Sequence, residues 1–188
     1  MMAEPEQTFD VLFVCTGNLC RSATAEGLAR RELRRHPGAP LRFSSAGTHA
    51  MEGNPAASGA VAAAAERGAA LERHFARGLS RRLVRSSRLI LCMAAEHRPH
   101  VLALDRSAAR RTFLLASFAR GVSQWSWLAD SPGELVELAA EQVRDLPGDD
   151  VEDPLGKSAE AYAACAERLD GLVTTVVAAL AKSAAGSA

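Results

Sequence analysis

Val11-Leu12-Phe13-Val14-Cys15-Thr16-Gly17-Asn18-Leu19-Cys20-Arg21-Ser22 passes from an apolar run to a polar loop within a dozen residues. The first four form a short β-rich segment after a polar start to the chain, the pattern of a strand buried on both faces in a parallel sheet. From Ser22 to about residue 35, Ala23, Leu28, Ala29 and Leu33 recur at helical spacing among Glu and Arg, which predicts an amphipathic helix with Ser22 as its cap. Between them lies a Cys, five residues, then Arg and Ser. Strand, loop and helix in this order are the repeating unit of a doubly wound sheet.

Moving outward, Leu41 to Ser45 reads as a second strand, and residues 47–59, with Pro55, as a loop leading to an alanine-rich helix over 58–67. A third buried strand is expected from Arg88 to Met93, helical structure from Ala94 to Leu104, and a fourth strand from Arg111 to Leu115. This alternation predicts one α/β domain of three α/β/α layers around a four-stranded, doubly wound parallel sheet. Residues 119–150 form a variable segment, with Trp125 and Trp127 near its start, a helix over 135–143 and a polar turn at Pro147-Gly148-Asp149-Asp150. A long final helix from Ser158 to Ala181 carries Tyr162, Cys165, Leu169, Leu172, Val173, Val176 and Leu180 at intervals of three or four, so it should cover one face of the sheet. The domain is expected to span 10–182, with flexible tails at 1–9 and 183–188.

The 188 residues suit a single core, and 48% hydrophobic with 23% charged residues is ordinary for a globular domain. Lys plus Arg and Asp plus Glu are equal at 22, so no global field draws the chain to nucleic acid or to an acidic membrane, and any anion must be bound locally. The first ten residues lack the basic-then-apolar pattern of a signal peptide, and no apolar run reaches the ~18 residues of a membrane helix. The cytoplasm is the expected location. Cysteines at 15, 20, 92 and 165 show no Cys-x-x-Cys spacing, so neither a disulfide framework nor a zinc site is expected.

The loop can act as an anion nest, because successive backbone N–H groups before a helix N-terminus converge on one point. Gly17 would permit backbone geometry that a side chain obstructs, and Arg21 can offer two parallel donors to phosphate oxygens. A helix N-terminus and a guanidinium both favour a thiolate, which makes Cys15 a candidate nucleophile. Ser22 could stabilise its sulfur as anion and leaving group, and Asn18 could hold the loop in shape. Cys20 would either join Cys15 in a disulfide under oxidation or pack beneath the loop, while Cys92 and Cys165 read as packing residues. The basic cluster Arg81, Arg82, Arg85 and Arg88 reads as a solvated face. A lone Cys-x5-Arg recurs in unrelated folds; here the apolar strand ahead, the CTGN string and the Arg-Ser ending sharpen it.

VCTGNLCRS resembles the phosphate loop of the low-molecular-weight protein phosphatase family, and the resemblance extends along most of the chain. Ser45-Ala46-Gly47 matches a second-strand motif whose Ser supports the loop Asn. His74, in HFARGLS, matches a His that supports the loop, LILCM at 89–93 matches the central strand, and Asp153-Pro154 matches the Asp-Pro that carries the general acid. Asp149 and Asp150 lie close by, but only Asp153 is followed by Pro. The resemblance implies attack on phosphorus by Cys15, protonation of the leaving group by Asp153, and hydrolysis of a phosphocysteine, without metal or cofactor. Arg21 and the loop from Thr16 through Gly17, Asn18, Leu19 and Cys20 to Ser22 would hold the phosphate or another oxyanion, and the partner would be a phosphorylated protein.

Tyrosine-specific members of that family carry Tyr after the Asp-Pro, whereas Leu155-Gly156 here look more like its protein-arginine phosphatases. Those have Thr where this chain has Leu19, the residue nearest the reacting end. Leu19 therefore decides for phosphotyrosine, with phosphoarginine second. Thioredoxin-coupled arsenate reductases on the same fold use two further cysteines about seven residues apart; Pro99 stands where a partner for Cys92 would be, so that activity is not expected. A regulator that binds phosphate without catalysis is the alternative from a different class.

Overall fold

The computed structural model describes residues 8–185. The apolar run is strand β1 (Phe9–Cys15), paired in parallel with β2 (Leu41–Gly47) on one side and β3 (Leu89–Cys92) on the other. β4 (Thr112–Leu114) flanks β3, giving the order β2-β1-β3-β4. The connections carry α1 (Arg21–Leu33), α2 (Ser58–Ala65), α3 (Arg81–Ser86), α4 (Arg98–Leu104), α5 (Leu115–Trp125), α6 (Pro132–Gln142) and α7 (Ala159–Ala185).

Val11 and Phe13 enter one apolar layer with Leu28 of α1, Phe118 of α5, Leu135 of α6 and Leu169 of α7. Leu12 and Val14 enter the other, with Val84 of α3 and Val101 of α4. Burial on both sides explains why β1 is apolar without alternation, and it makes the three α/β/α layers. Among the described residues no helix is long and apolar enough to cross a membrane.

Several elements differ from their expected form. α1 begins at Arg21 with Cys20 at the N-cap, and Cys20 makes no side-chain capping bond. Ser22 is thus inside the first turn and does not cap; its hydroxyl turns to the loop instead. The basic cluster contains α3, capped by Ser80 Oγ accepting the Leu83 N–H at 3.3 Å, with Val84 buried and the four arginines exposed. α5 follows β4 without a connecting loop, where the sequence suggested only a strand ending at Leu115. The turn at 147–150 is anchored by Asp149, which is 6% exposed and accepts from Arg120 at 2.6 and 3.0 Å, Ser117 Oγ at 2.8 Å and the Leu146 N–H at 2.6 Å. Burial opposes its charge, but those donors outweigh burial and take its carboxyl down to about 2.

At the ends, Phe9 belongs to β1, its N–H donating to Pro40 O at 2.7 Å. α7 continues through Ala185 because Ser183 and Ala184 are buried against the core, beyond the expected start of a tail at 183. The rest of both expected tails, 1–7 and 186–188, lies outside the described residues.

Candidate active site

Cys15 ends β1 at the C-terminal edge of the sheet, where the strand order reverses between β1 and its neighbours, the usual ligand position in an open α/β sheet. Its loop is held from outside by its carbonyls. Cys15 O accepts from Thr48 N–H, Thr16 O from His49 N–H, Gly17 O from Met51 N–H, and Leu19 O from Ala57 N–H, at 2.9, 2.9, 3.4 and 3.0 Å. Asn18 O lies 2.7 Å from His74 Nε2, and Cys20 O takes the first helical bond from Thr24 N–H at 2.8 Å. In a trans peptide the N–H points opposite to the C=O, so outward carbonyls turn the following N–H groups inward, as an anion nest requires.

The tight backbone positions are not the expected one. Asn18 has the left-handed φ of 57°, the conformation an Asn tolerates best after Gly. A Cβ on Gly47 would stand 2.5 Å from Thr16 O and 3.0 Å from Asn18 N, so β2 presses bare backbone against the loop there. A Cβ on Gly17 would meet only the Leu19 side chain at 3.8 Å, so Gly17 is not required for space.

The Cys15 sulfur receives the Asn18 N–H at 3.3 Å and lies 2.9 Å from Ser22 Oγ. Asn18 Nδ2 donates to both Ser22 Oγ and Ser45 Oγ at 2.9 Å, which leaves the Ser22 proton available to the sulfur. Ser45 Oγ donates to Glu26 Oε2 at 2.5 Å, and Asn18 Oδ1 accepts the Arg77 N–H at 2.9 Å. Ser45 and His74 therefore stand against Asn18, where the resemblance puts them. Glu26, 8% exposed, was not foreseen: on α1 it reads as the partner of Arg30, which it also is, at 2.5 Å.

Arg21 is buried over the same loop. Its Nη1 donates to Val151 O at 3.2 Å, and its Nη2 to Thr16 Oγ1 at 3.2 Å and Asp153 Oδ2 at 2.5 Å. Its Nε is buried with no hydrogen-bond partner among the described residues. A buried guanidinium with an unused N–H beside a thiol is a place for an anion to complete. Asp153 reaches it because the Val151 N–H donates to Met93 O at 2.7 Å, laying the chain across the end of β3. Of the three acids, Asp149 is taken by Arg120 and Asp150 accepts the Ala95 N–H at 2.8 Å; only Asp153 faces the loop.

The mouth is lined by Cys15, Gly17, Leu19, Cys20, Arg21, Asp153 and Leu155, with Leu19 buried and Leu155 half exposed. Burial pushes the Cys20 and Cys92 thiols up to about 12 and Cys165 to about 11, which keeps all three protonated and weakly nucleophilic. Among the described residues no group of His, Cys, Asp and Glu could hold a metal ion.

One further residue at the loop was not foreseen. His97, 1% exposed, has its Nε2 3.1 Å from Thr16 Oγ1 and accepts the Ala94 N–H on Nδ1 at 3.0 Å. Burial, then the Arg21 charge, lowers its pKa from 6.5 to about 4. The folded chain thus binds fewer protons here than the unfolded one, so this stability is complete above pH 6.5 and is lost as pH falls toward 4. Denaturant titrations should show a loss of up to roughly 3 kcal/mol over that window. His97→Gln should flatten that part of the profile; an unchanged slope would assign the loss to other groups.

Comparisons with known proteins bear on the family and the fold. The family model for low molecular weight phosphotyrosine protein phosphatase matches residues 10–146, which stops short of Asp153. The low molecular weight protein-tyrosine-phosphatase Etp of Escherichia coli (strain K12) is 38% identical over 108 residues, 57% of this chain and 70% of that one. The tyrosine phosphatase AmsI of Erwinia amylovora superposes with a TM-score of 0.71 at 28% identity, covering 93% of this chain and 94% of that one. The YwlE arginine phosphatase of Geobacillus stearothermophilus gives 0.70 at 26% identity, covering 90% and 91%. With that family model matched along most of its length, and with a buried cysteine and arginine facing one loop, the chain belongs to the low molecular weight phosphotyrosine protein phosphatase family.

Proposed function

We propose that the chain hydrolyses phosphotyrosine in proteins through a phosphocysteine. The observation that carries this reading is the sulfur of Cys15, held by the Asn18 N–H and Ser22 Oγ beside an Arg21 whose Nε has no partner among the described residues and whose Nη2 meets Asp153. In the first step the Cys15 thiolate forms a bond to phosphorus as the bond to the phenolic oxygen breaks, and protonated Asp153 gives its proton to that oxygen. In the second, water attacks the phosphocysteine, Asp153 takes the water's proton, and the sulfur leaves with the Ser22 hydroxyl donating to it. Arg21 and the inward N–H groups would carry the charge of the equatorial oxygens in both steps.

Leu19 at the mouth favours an aryl group, and among the described residues Asp153 is the one carboxylate lining it. A phosphorylated guanidinium would want acceptors there, so phosphotyrosine is preferred. The relatives named as tyrosine phosphatases support the same choice. Phosphoarginine is the second reading, favoured by Leu155-Gly156 in place of an aromatic wall and by the likeness to an arginine phosphatase. Rates on a phosphotyrosyl and a phosphoarginyl peptide of the same sequence test it, and a faster phosphoarginyl reaction would reverse the assignment. Should the native chain bind phosphate yet fail to hydrolyse p-nitrophenyl phosphate, the regulator reading would replace both.

The role of Asp153 makes its own prediction. Asp153→Asn should lower kcat about 10²–10³-fold on a phosphotyrosyl peptide, whose leaving group needs the proton, and much less on p-nitrophenyl phosphate, whose leaving group does not. Equal losses on the two substrates would remove Asp153 from the acid role.

A further inference from the structure

Proton donation by Asp153 requires its carboxyl to turn from Arg21 to the leaving group, and this withdraws a short contact from the guanidinium at the moment Arg21 must hold the phosphoryl oxygens. Two anchors are left, Val151 O on Nη1 and Thr16 Oγ1 on Nη2. A threonine hydroxyl is a poor fixed acceptor by itself, because its proton rotates and can compete for the same space. Here the rotor is constrained from behind. The Ala94 N–H donates to His97 Nδ1, so in the neutral imidazole the proton is on Nε2, which then donates to Thr16 Oγ1. With one lone pair taken by His97 and the other by Arg21, the hydroxyl proton points away from the guanidinium. Glu96 also approaches the same Nε2, at 3.5 Å, but its side chain is 71% exposed, so Thr16 is the buried partner. The lowered pKa agrees with a neutral ring.

We propose that His97 is a positioning residue that fixes Arg21 for the oxyanion by donating to Thr16 Oγ1. The proposal rests on the phosphatase reading for its purpose, and on phosphate binding alone for its test. His97 touches no reacting atom; it acts through Thr16.

The test measures the affinity for inorganic phosphate, from the phosphate-dependent rise in Tm and from competitive inhibition of p-nitrophenyl phosphate hydrolysis. The proteins compared are the native chain, His97→Leu, His97→Gln, Thr16→Val and the His97→Leu/Thr16→Val double variant. Gln carries an amide N–H close to the Nε2 position and should stay within about threefold of native. His97→Leu and Thr16→Val should each weaken phosphate about tenfold, as expected for a lost hydrogen bond supporting a charged group. The double variant should lose no more than either single one, because both remove one chain of contacts.

Thr16→Val is nearly isosteric and keeps the test open if His97→Leu does not fold. Equal losses in His97→Leu and His97→Gln would mean that His97 only fills space, and native affinity in Thr16→Val would break the chain at its middle; either result overturns the proposal. A native chain that binds phosphate without hydrolysing p-nitrophenyl phosphate would fail the phosphatase reading, while the Tm series would still decide the role of His97.

Discussion

Cys15→Ser should abolish turnover of p-nitrophenyl phosphate and leave phosphate binding largely intact. The substitution exchanges sulfur for oxygen at the end of β1 and alters little else, since Asn18, Ser22 and Arg21 are all held by contacts that do not involve the sulfur. A serine hydroxyl in this setting has no general base beside it. Its neighbours at the sulfur position are an N–H and another hydroxyl, which stabilise an anion but do not create one. The loss in kcat should therefore be on the order of 10⁴-fold or more, the scale seen when a covalent nucleophile is removed. Phosphate should still raise Tm, because the N–H groups and Arg21 remain. Acid quench of the native reaction should trap a phosphoprotein whose phosphate maps to Cys15. Residual turnover above about one per cent would place the nucleophile elsewhere, and Cys20, protonated by its burial, is the neighbour that would then need examination.

How much of this was readable from the chain depends on whether a feature writes itself into local pattern. β1 did, because double burial demands an unbroken apolar run, and the loop did, because a cysteine at the end of that run and an arginine at the start of a helix enclose five residues. Asp153 was separable from Asp149 and Asp150 only by the proline after it; the physical reason is the Val151 to Met93 hydrogen bond, which carries Asp153 onto Arg21, and this pairing across residues distant in sequence leaves no local trace. α5 escaped because seven of its first eight residues are buried, which erases the one-sided periodicity by which a helix is recognised and lets Thr112 to Leu115 read as strand throughout. Ser22 reads as a helix cap by residue type, and only the position of Asn18 shows that its hydroxyl belongs to the sulfur.

Gly17 and Gly47 show the same limit from the other side. A glycine inside a phosphate loop invites the inference that it makes room, yet the room is made by Gly47 on the neighbouring strand, through a register that pairs it with Cys15. Glu26 and His97 are legible only as types. A glutamate four residues before an arginine is ordinary on a helix surface, and a single histidine after a strand is ordinary anywhere. The available signal for His97 was its place just beyond the C-terminal end of β3, where ligands of such sheets are bound.

Arg21→Lys should lower kcat/KM on a phosphotyrosyl peptide about 10³-fold and weaken phosphate binding, although the charge is unchanged. The guanidinium meets Val151 O, Thr16 Oγ1 and Asp153 with its two terminal nitrogens while Nε has no partner among the described residues, so one planar group connects three anchors and still offers an N–H to the anion. A lysine ammonium has three donors on one atom. It can reach the acid or the phosphate, but it cannot span the width from Val151 to Thr16 and present parallel donors to two phosphoryl oxygens as well. Loss of a single donor to a developing oxyanion costs about 10²–10³-fold, and here both the donor and its orientation go. The effect should fall on kcat more than on KM, since the geometry matters most when charge spreads over the equatorial oxygens. Steady-state kinetics beside the phosphate-dependent Tm separate the two. If Arg21→Lys changed only KM, the arginine would be contributing charge alone, and the anchored, planar arrangement over Cys15 would have no catalytic meaning.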